Sequence, residues 1–291
     1  MSATALSLVL TAAVLHAIWN IAAKRVADDG GYVFVFAYAA LSALVWLPVG
    51  LIVLAADGSR PTASLLLASA LSGILHIAYG LVLQASYRRA DLSVVYPVAR
   101  GTGPLLTMLF AILVLAERPG GIAVAGGFVV IAGVAVVASA RSSDATAHQR
   151  SSAYLGGQWG VVTGLAIASY TLWDDHSMSA LALPPVLYFS LSTTWQSLLM
   201  LPGVRHRGSE LVRVGRACWR EILCVALLSP LAYILVLQAM TTTSVALVAP
   251  ARESSIVVGS LLAWRLFHEP APLRKFAGAM VVLLGIVLIA A

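Results

Sequence analysis

Apolar residues in this chain come in long runs separated by short polar punctuation. Ten such runs are legible, at 3–24, 32–56, 63–86, 92–116, 120–140, 154–174, 184–203, 218–240, 244–267 and 272–291. Each is close to the roughly 20 residues a helix needs to cross the hydrocarbon of a bilayer. Most connections are a few residues long, so successive helices must run antiparallel. Two loops have more substance: Arg141–Ser152, polar and rich in Ser, and Val204–Ala217, rich in Arg. Both are expected to lack a fold of their own. The first run is preceded by no basic residue and followed by Lys24-Arg25, so it reads as a retained helix rather than a signal peptide.

Composition supports the same reading. Of the 291 residues 60% are hydrophobic and 10% charged, against about 45–50% and about 25% in soluble domains. A cytosolic enzyme, a secreted disulfide scaffold and a nucleic-acid-binding protein are thereby excluded. The two cysteines, Cys218 and Cys224, cannot make a framework. The net charge of +6 has a topological origin. Of the 18 Lys and Arg, Arg100 and Arg252 lie within runs, and Arg60 and Arg118 follow even-numbered runs; all the others sit in or at the edges of the loops after odd-numbered runs. Positive residues collect on the cytoplasmic side, so both termini are expected to be extracytoplasmic, in a plasma (inner) membrane.

The chain repeats itself. Residues 78–85, AYGLVLQA, match 232–239, AYILVLQA, at an offset of 154, and Trp19-Asn20 lie opposite Trp173-Asp174 at the same offset. Arg100 and Arg252, Glu117 and Glu269, Gly126 and Gly278, and Gly133 and Gly285 pair at 152. Five helices per repeat force the second repeat to be inverted. The expected fold is thus an all-α membrane protein with ten transmembrane helices as two inverted five-helix repeats: 1–140, a polar linker at 141–153, and 154–291. Inverted repeats are a signature of alternating-access carriers, whose substrate sites lie at the midplane between the halves.

Several motifs carry a family resemblance: His16-Ala-x-Trp19-Asn20-x-x-x-Lys24, Tyr96-Pro97-x-Ala99-Arg100-Gly101-x-Gly103-Pro104, Glu117-Arg118, Pro250-x-Arg252-Glu253 and Glu269. With them the whole chain resembles the EamA-like ten-helix branch of the drug/metabolite transporter superfamily. That resemblance implies export of amino acids or other small metabolites, with relatives that move nucleotide sugars or lipid-linked sugars.

Ionisable residues inside spans mark function by default. Arg100 and Arg252 present rigid forks suited to a carboxylate or phosphate; the alternative is that they lock helices by pairing with Glu253. Glu253 is the proton-coupling candidate. His16, Trp19 and Asn20 share one helix face; Tyr170 and Trp173 form their mate, His76 and Tyr79 share another face, and Tyr96 and Tyr233 complete the candidate substrate-binding set. Asp174, near the end of its run, reads as an interfacial charge or helix cap. If Arg100, Arg252, Glu253 and Asp174 all face one cavity its fixed charge is zero, which suits a zwitterion; without Asp174 the balance is +1, which suits an anion. Pro97, Gly101, Gly103 and Pro104 predict a broken or kinked helix around Arg100, and Pro250 a kink in the ninth run. The glycines at 126, 133, 278 and 285 make small-residue stripes, for packing on their own half or for a dimer surface.

The function expected is secondary active transport, in the direction of efflux, of a small polar metabolite such as an amino acid or related zwitterion or anion, by alternating access with proton coupling. The alternatives are a flippase for a lipid-linked headgroup and an exporter of cationic drugs. No HExxH, GxSxG or P-loop is present, so neither an enzyme nor a primary pump is expected, and no cofactor or metal. The expected partners are the small-molecule substrate and the lipid bilayer, with no nucleic acid, and the protein is expected to be a monomer or homodimer.

Overall fold

The computed structural model describes residues 1–26, 31–56, 58, 60–89, 92–138, 147–258 and 273–291. Among these residues there are eleven helices and no strand. They are α1 (Ala3–Lys24), α2 (Gly31–Ala56), α3 (Ala63–Arg89), α4 (Leu92–Leu113), α5 (Gly121–Ala138), α6 (Ala147–Ser179), α7 (Pro185–Val204), α8 (Gly208–Ala217), α9 (Trp219–Met240), α10 (Val245–Arg252) and α11 (Leu273–Ala290). An all-helical chain is what hydrocarbon demands, because a helix satisfies its backbone polar groups within one segment. Large apolar side chains point outward where a soluble protein would be polar: Leu113 is 76% exposed, Leu44 73% and Leu67 72%.

Length and apolarity single out α1, α2, α3 and α9 as full spans; shorter apolar stretches lie at Val98–Leu113, Gly121–Val136 and Ala277–Ala290. The ten spans expected are therefore met in part. α6 continues well beyond the 154–174 run, so residues 147–153, read as linker, are helical. Its far end reaches Ser179, which puts Asp174 inside the helix rather than at its edge. The Arg-rich loop 204–217 contains α8, whose Val214 is buried while Val212 is 53% exposed.

The packing follows the repeat. α1 packs on α9 as α6 packs on α3, α2 packs on α7, and α5 on α11; moving 154 residues along the chain exchanges the first two pairs and maps α2 onto α7. Pro48 and Pro202 occupy matching places inside α2 and α7. Polar side chains bridge helices by reaching backbone carbonyls. Ser42 Oγ and Trp46 Nε1 both donate to Ala226 O, at 3.1 and 3.2 Å. Trp173 Nε1 donates to Ala68 O at 3.0 Å and Tyr32 OH to Met200 O at 2.9 Å. Such bonds are a common glue between helices in a medium without water.

The glycine stripes neither pack on their own half nor lie free for a dimer. They meet each other across the two halves. A Cβ on Gly126 would stand 2.7 Å from Gly285 O, and one on Gly133 2.9 Å from Gly278 O. The reason is geometric: α5 and α11 are repeat mates, and their small-residue faces allow backbones to touch.

The expected break in helix 4 is absent, for α4 is helical from Leu92 through Arg100 to Leu113. The interruption falls on the repeat mate. α10 stops at Arg252, Glu253-Ser254 form a turn, and helical geometry resumes at 255–258. Bonds there tighten to three-residue closures: Glu253 N to Pro250 O (3.0 Å), Ser254 N to Ala251 O (3.2 Å) and Ile256 N to Glu253 O (2.9 Å). Pro250, in the last turn of α10, has no N–H to donate to Ala246 O, so the four-residue ladder is one bond short just before the turn. A short tightened stretch inside a helical path often marks a hinge. The rest of the ninth run lies outside the described residues, as does Glu269.

The start of α10 is held from the other half. Glu117 Oε2 accepts from Ser244 Oγ and, at 3.3 Å, from Ala246 N. A carboxylate at a helix N-terminus satisfies an orphan donor and complements the helix dipole.

Candidate functional site

Two buried charged groups occupy the interior. The first joins α4, α10 and α1. Arg100 Nη1 lies 3.4 Å from both Oε1 and Oε2 of Glu253, and Arg252 Nε lies 3.8 Å from Oε1. Arg100 Nη2 donates to His16 Nε2. Acceptance there requires an unprotonated Nε2, so His16 is neutral in this arrangement. Arg100, Arg252 and Glu253 are all buried, and the carboxylate is shared between two guanidinium groups.

The second group surrounds Asp174, which is wholly buried. Tyr188 OH donates to its Oδ1 and Tyr233 OH to its Oδ2, each at 2.7 Å. His76 Nε2 stands 3.9 Å from Oδ2, while His76 Nδ1 is 2.9 Å from Ser72 O. The reading of Asp174 as an interfacial charge is thus corrected: α6 runs on past it, and tyrosines from α7 and α9 close over it.

Between the two groups lies a cavity. Its walls come from α1 (His16, Trp19), α2 (Tyr38, Ala39, Ser42), α3 (His76, Tyr79), α6 (Tyr170), α7 (Phe189, Thr193, Gln196), α9 (Val225, Ser229, Pro230, Tyr233) and α10 (Arg252). Repeat mates face each other in it, with His16 and Tyr170, Tyr79 and Tyr233, and Ser42 and Gln196 each related by 154. Its water-accessible space of about 80 Å³ is several times the roughly 10–15 Å³ that one water needs, a scale for a small solute. Aromatic rings make one wall: Tyr79 and Tyr170 are 5.3 Å apart, Tyr170 and Tyr233 5.9 Å, and His76 and Tyr170 4.3 Å. Arg252 supplies a cationic lining group. Its Nε is buried with no hydrogen-bond partner, as is Trp19 Nε1 on the same cavity.

Of the residues singled out in the sequence, His16, Trp19, His76, Tyr79, Tyr170, Tyr233 and Arg252 line this cavity. Three others are placed elsewhere. Arg100 sits behind His16 on Glu253; Asn20 Nδ2 donates to His16 O at 2.8 Å on its own helix; and Trp173 Nε1 is engaged by Ala68 O. The side chain of Tyr96 lies outside the described residues. The α2 and α7 contributions, Tyr38, Ser42, Phe189, Thr193 and Gln196, escaped the sequence reading. Their signal was the polar run Ser190–Ser197 within an apolar helix, and Ser42 opposite Gln196 at the repeat offset. Among the described residues no group of three His, Cys, Asp or Glu could hold a metal ion.

A bundle of apolar helices with charged groups and a polar cavity enclosed at its centre defines the class: a helical multi-pass membrane protein with a solute-sized interior site. The model of the EamA-like transporter family matches residues 3–139 and again 155–291, so the chain belongs to that family of the drug/metabolite transporter superfamily, with both repeats present. A solved structure described as "Crystal structure of protein" superposes with a TM-score of 0.74 at 16% identity, covering 99% of this chain and 96% of its own; it speaks to the fold. No curated protein matches the sequence.

Proposed function

We propose that this family member exports a small zwitterion or carboxylate, an amino acid being the simplest example, by alternating access through the central cavity. The observation that carries the reading is the division of labour between the two arginines. Both arginines pair with Glu253, but Arg100 is also bonded to His16 and stands off the cavity, whereas Arg252 lines it, with its Nε 3.8 Å from Glu253 and in no hydrogen bond. Arg252 is thus the carboxylate clamp, and the Tyr79, Tyr170 and Tyr233 rings form the wall that receives an ammonium group by cation–π attraction. Net export is driven by exchange for protons. The protein sits in the inner membrane with both termini outside.

The test is ligand-induced thermal stabilisation of the purified protein. The panel holds glycine, leucine, phenylalanine, glutamate, succinate and tetraphenylphosphonium, with Arg252→Ala and Arg100→Ala alongside. Stabilisation by an amino acid or succinate that disappears in Arg252→Ala supports the reading. Stabilisation by tetraphenylphosphonium alone, indifferent to Arg252, overturns it in favour of cationic-drug export.

A further inference from the structure

The Asp174–His76 pair contains a gap shaped for a proton. His76 Nδ1 is 2.9 Å from Ser72 O. Ser72 Oγ, which can donate, is farther off at 3.4 Å; the shorter contact is to a carbonyl oxygen, which only accepts, so it puts the hydrogen on Nδ1 and leaves the Nε2 lone pair facing outward from the ring. That lone pair points into a 3.9 Å space against Asp174 Oδ2, a carboxylate oxygen that is itself an acceptor. Two acceptors therefore confront each other in a buried site, and one proton between them would turn the pair into an imidazolium–carboxylate ion pair.

We propose that Asp174 and His76 together form the proton-binding site of the transport cycle, in place of Glu253; this rests on the reading of the protein as a proton-exchanging carrier. Glu253 is unsuited, because Arg100 and Arg252 both compensate its charge. Asp174 has no guanidinium or ammonium against it among the described residues, only two phenol hydroxyls and an imidazole. The step is balanced simply: one proton adds to His76 Nε2, the pair goes from a charge of −1 to zero, and the same proton leaves on return.

Proton uptake also has a mechanical consequence. Tyr233 OH and a protonated His76 Nε2–H would both donate to Oδ2, which has a lone pair for each. Drawing His76 inward adds α3 to the helices that Asp174 already holds through Tyr188 on α7 and Tyr233 on α9. The repeat mates at the opposite end cannot do this. Asn20 stands for Asp174 and Phe34 for Tyr188, and among the described residues Asn20 bonds its own helix at His16 O. The proton-sensitive latch is therefore built into one end of the cavity.

The charged and titratable groups around the pair are few. Tyr188 comes from α7, Tyr233 from α9, and Tyr170 and Asp175 from α6 itself. Arg252 on α10 lies within electrostatic reach of His76 and Tyr233, and Asp175 interacts with Glu117.

The first experiment needs no substrate. The full chain, labelled with ¹⁵N-histidine and held in lipid nanodiscs, is titrated by NMR across roughly pH 5 to 8, the range in which imidazoles switch. The His76 signal is assigned by its loss in His76→Gln. It should pass from the Nδ1–H neutral form to the doubly protonated form, and the transition should shift or vanish in Asp174→Asn but survive in Glu253→Gln. A His76 signal that stays neutral throughout in the wild type overturns the proposal without any variant having to fold. The second experiment measures uptake of the stabilising amino acid by proteoliposomes with and without an imposed gradient of one pH unit, a tenfold difference in proton activity. The ratio of the two rates should fall from several-fold towards one in Asp174→Asn, and a ratio unchanged from wild type sinks the coupling role. If no amino acid binds the wild type at all, the substrate reading fails while the NMR titration still decides the proton site.

Discussion

Nη1 of Arg100 stands 3.4 Å from both carboxylate oxygens of Glu253, and the two residues are 153 positions apart. Each comes from the same stretch of its own repeat, so a single ion pair ties the two halves at their matched interior helices. Asymmetry is built in, because the residue matching Glu253 in the first half is Gly101. One acid serves two symmetry-related arginines.

Removing that acid should hurt more than removing either base. Breaking a buried ion pair by deleting one partner costs about 3–5 kcal/mol. Glu253→Gln strands two guanidinium groups, whereas Arg100→Gln leaves Glu253 still beside Arg252. Thermal unfolding in detergent should rank wild type, Arg100→Gln and Glu253→Gln in falling order of stability. Equal stability of all three would remove the ion pair from any account of the fold.

Arg252→Lys keeps the charge on the cavity wall and loses the planar fork. Bidentate recognition of a carboxylate depends on that fork. Affinity for the stabilising amino acid should drop by about tenfold, equal to about 1.4 kcal/mol, with thermal stability of the free protein little changed. Titration calorimetry on the two proteins checks this.

The α5–α11 contact makes a sharp comparison between glycines. A methyl group at Gly126 would stand 2.7 Å from a carbonyl oxygen, while at Gly121 nothing lies within 4 Å. Gly126→Ala should destabilise by about 1–3 kcal/mol through overpacking. Gly121→Ala should be neutral or slightly stabilising, and a matching loss at both positions would refute the close seam.

Glu117→Ala removes the oxygen that accepts from Ser244 and Ala246 at the start of α10. Loss of a helix cap costs about 0.5–2 kcal/mol. Ser244→Ala should cost less, because Glu117 still reaches Ala246 N. Hydrogen exchange should show the first turn of α10 opening more readily in Glu117→Ala than elsewhere in the chain.

The amino group of Met1 donates to Ile289 O at 3.4 Å, so both termini lie at one end of the bundle. Reporters active only in the cytoplasm should stay dark at either terminus. Two bright signals would reverse the proposed orientation while sparing the fold; one bright and one dark would contradict the contact itself.

Much of this was readable from residue order. α1 begins and ends where the first run does, and Trp, Gln and Arg in register exposed the repeat before any contact was known. Other features depend on partners far away in sequence. Asp174 looked marginal because its run fades at residue 174, yet α6 persists to Ser179, and its burial is made by Tyr188 and Tyr233 from two other helices. Tyr38 and Phe189 were missed for a different reason: where apolar residues surround a helix on every side, no periodicity separates the face towards lipid from the face towards a cavity. An irregularity was expected in both copies, since each carries proline near its arginine; α4 runs unbroken, and the interruption follows Pro250 alone. Local composition could not tell which of the two prolines the surrounding packing would accommodate.

None of the cavity's walls comes from α5 or α11, yet these helices join the two halves with no room for a methyl group at Gly126 or Gly285. Surfaces fitted that closely cannot slip lengthwise without first drawing apart, which would strip packed backbone of its neighbours. The seam is thus a fulcrum. Under the alternating-access cycle proposed above, the cavity-lining helices would rock about it, the distance between the halves staying fixed at one edge of the molecule while it widens and narrows at the other.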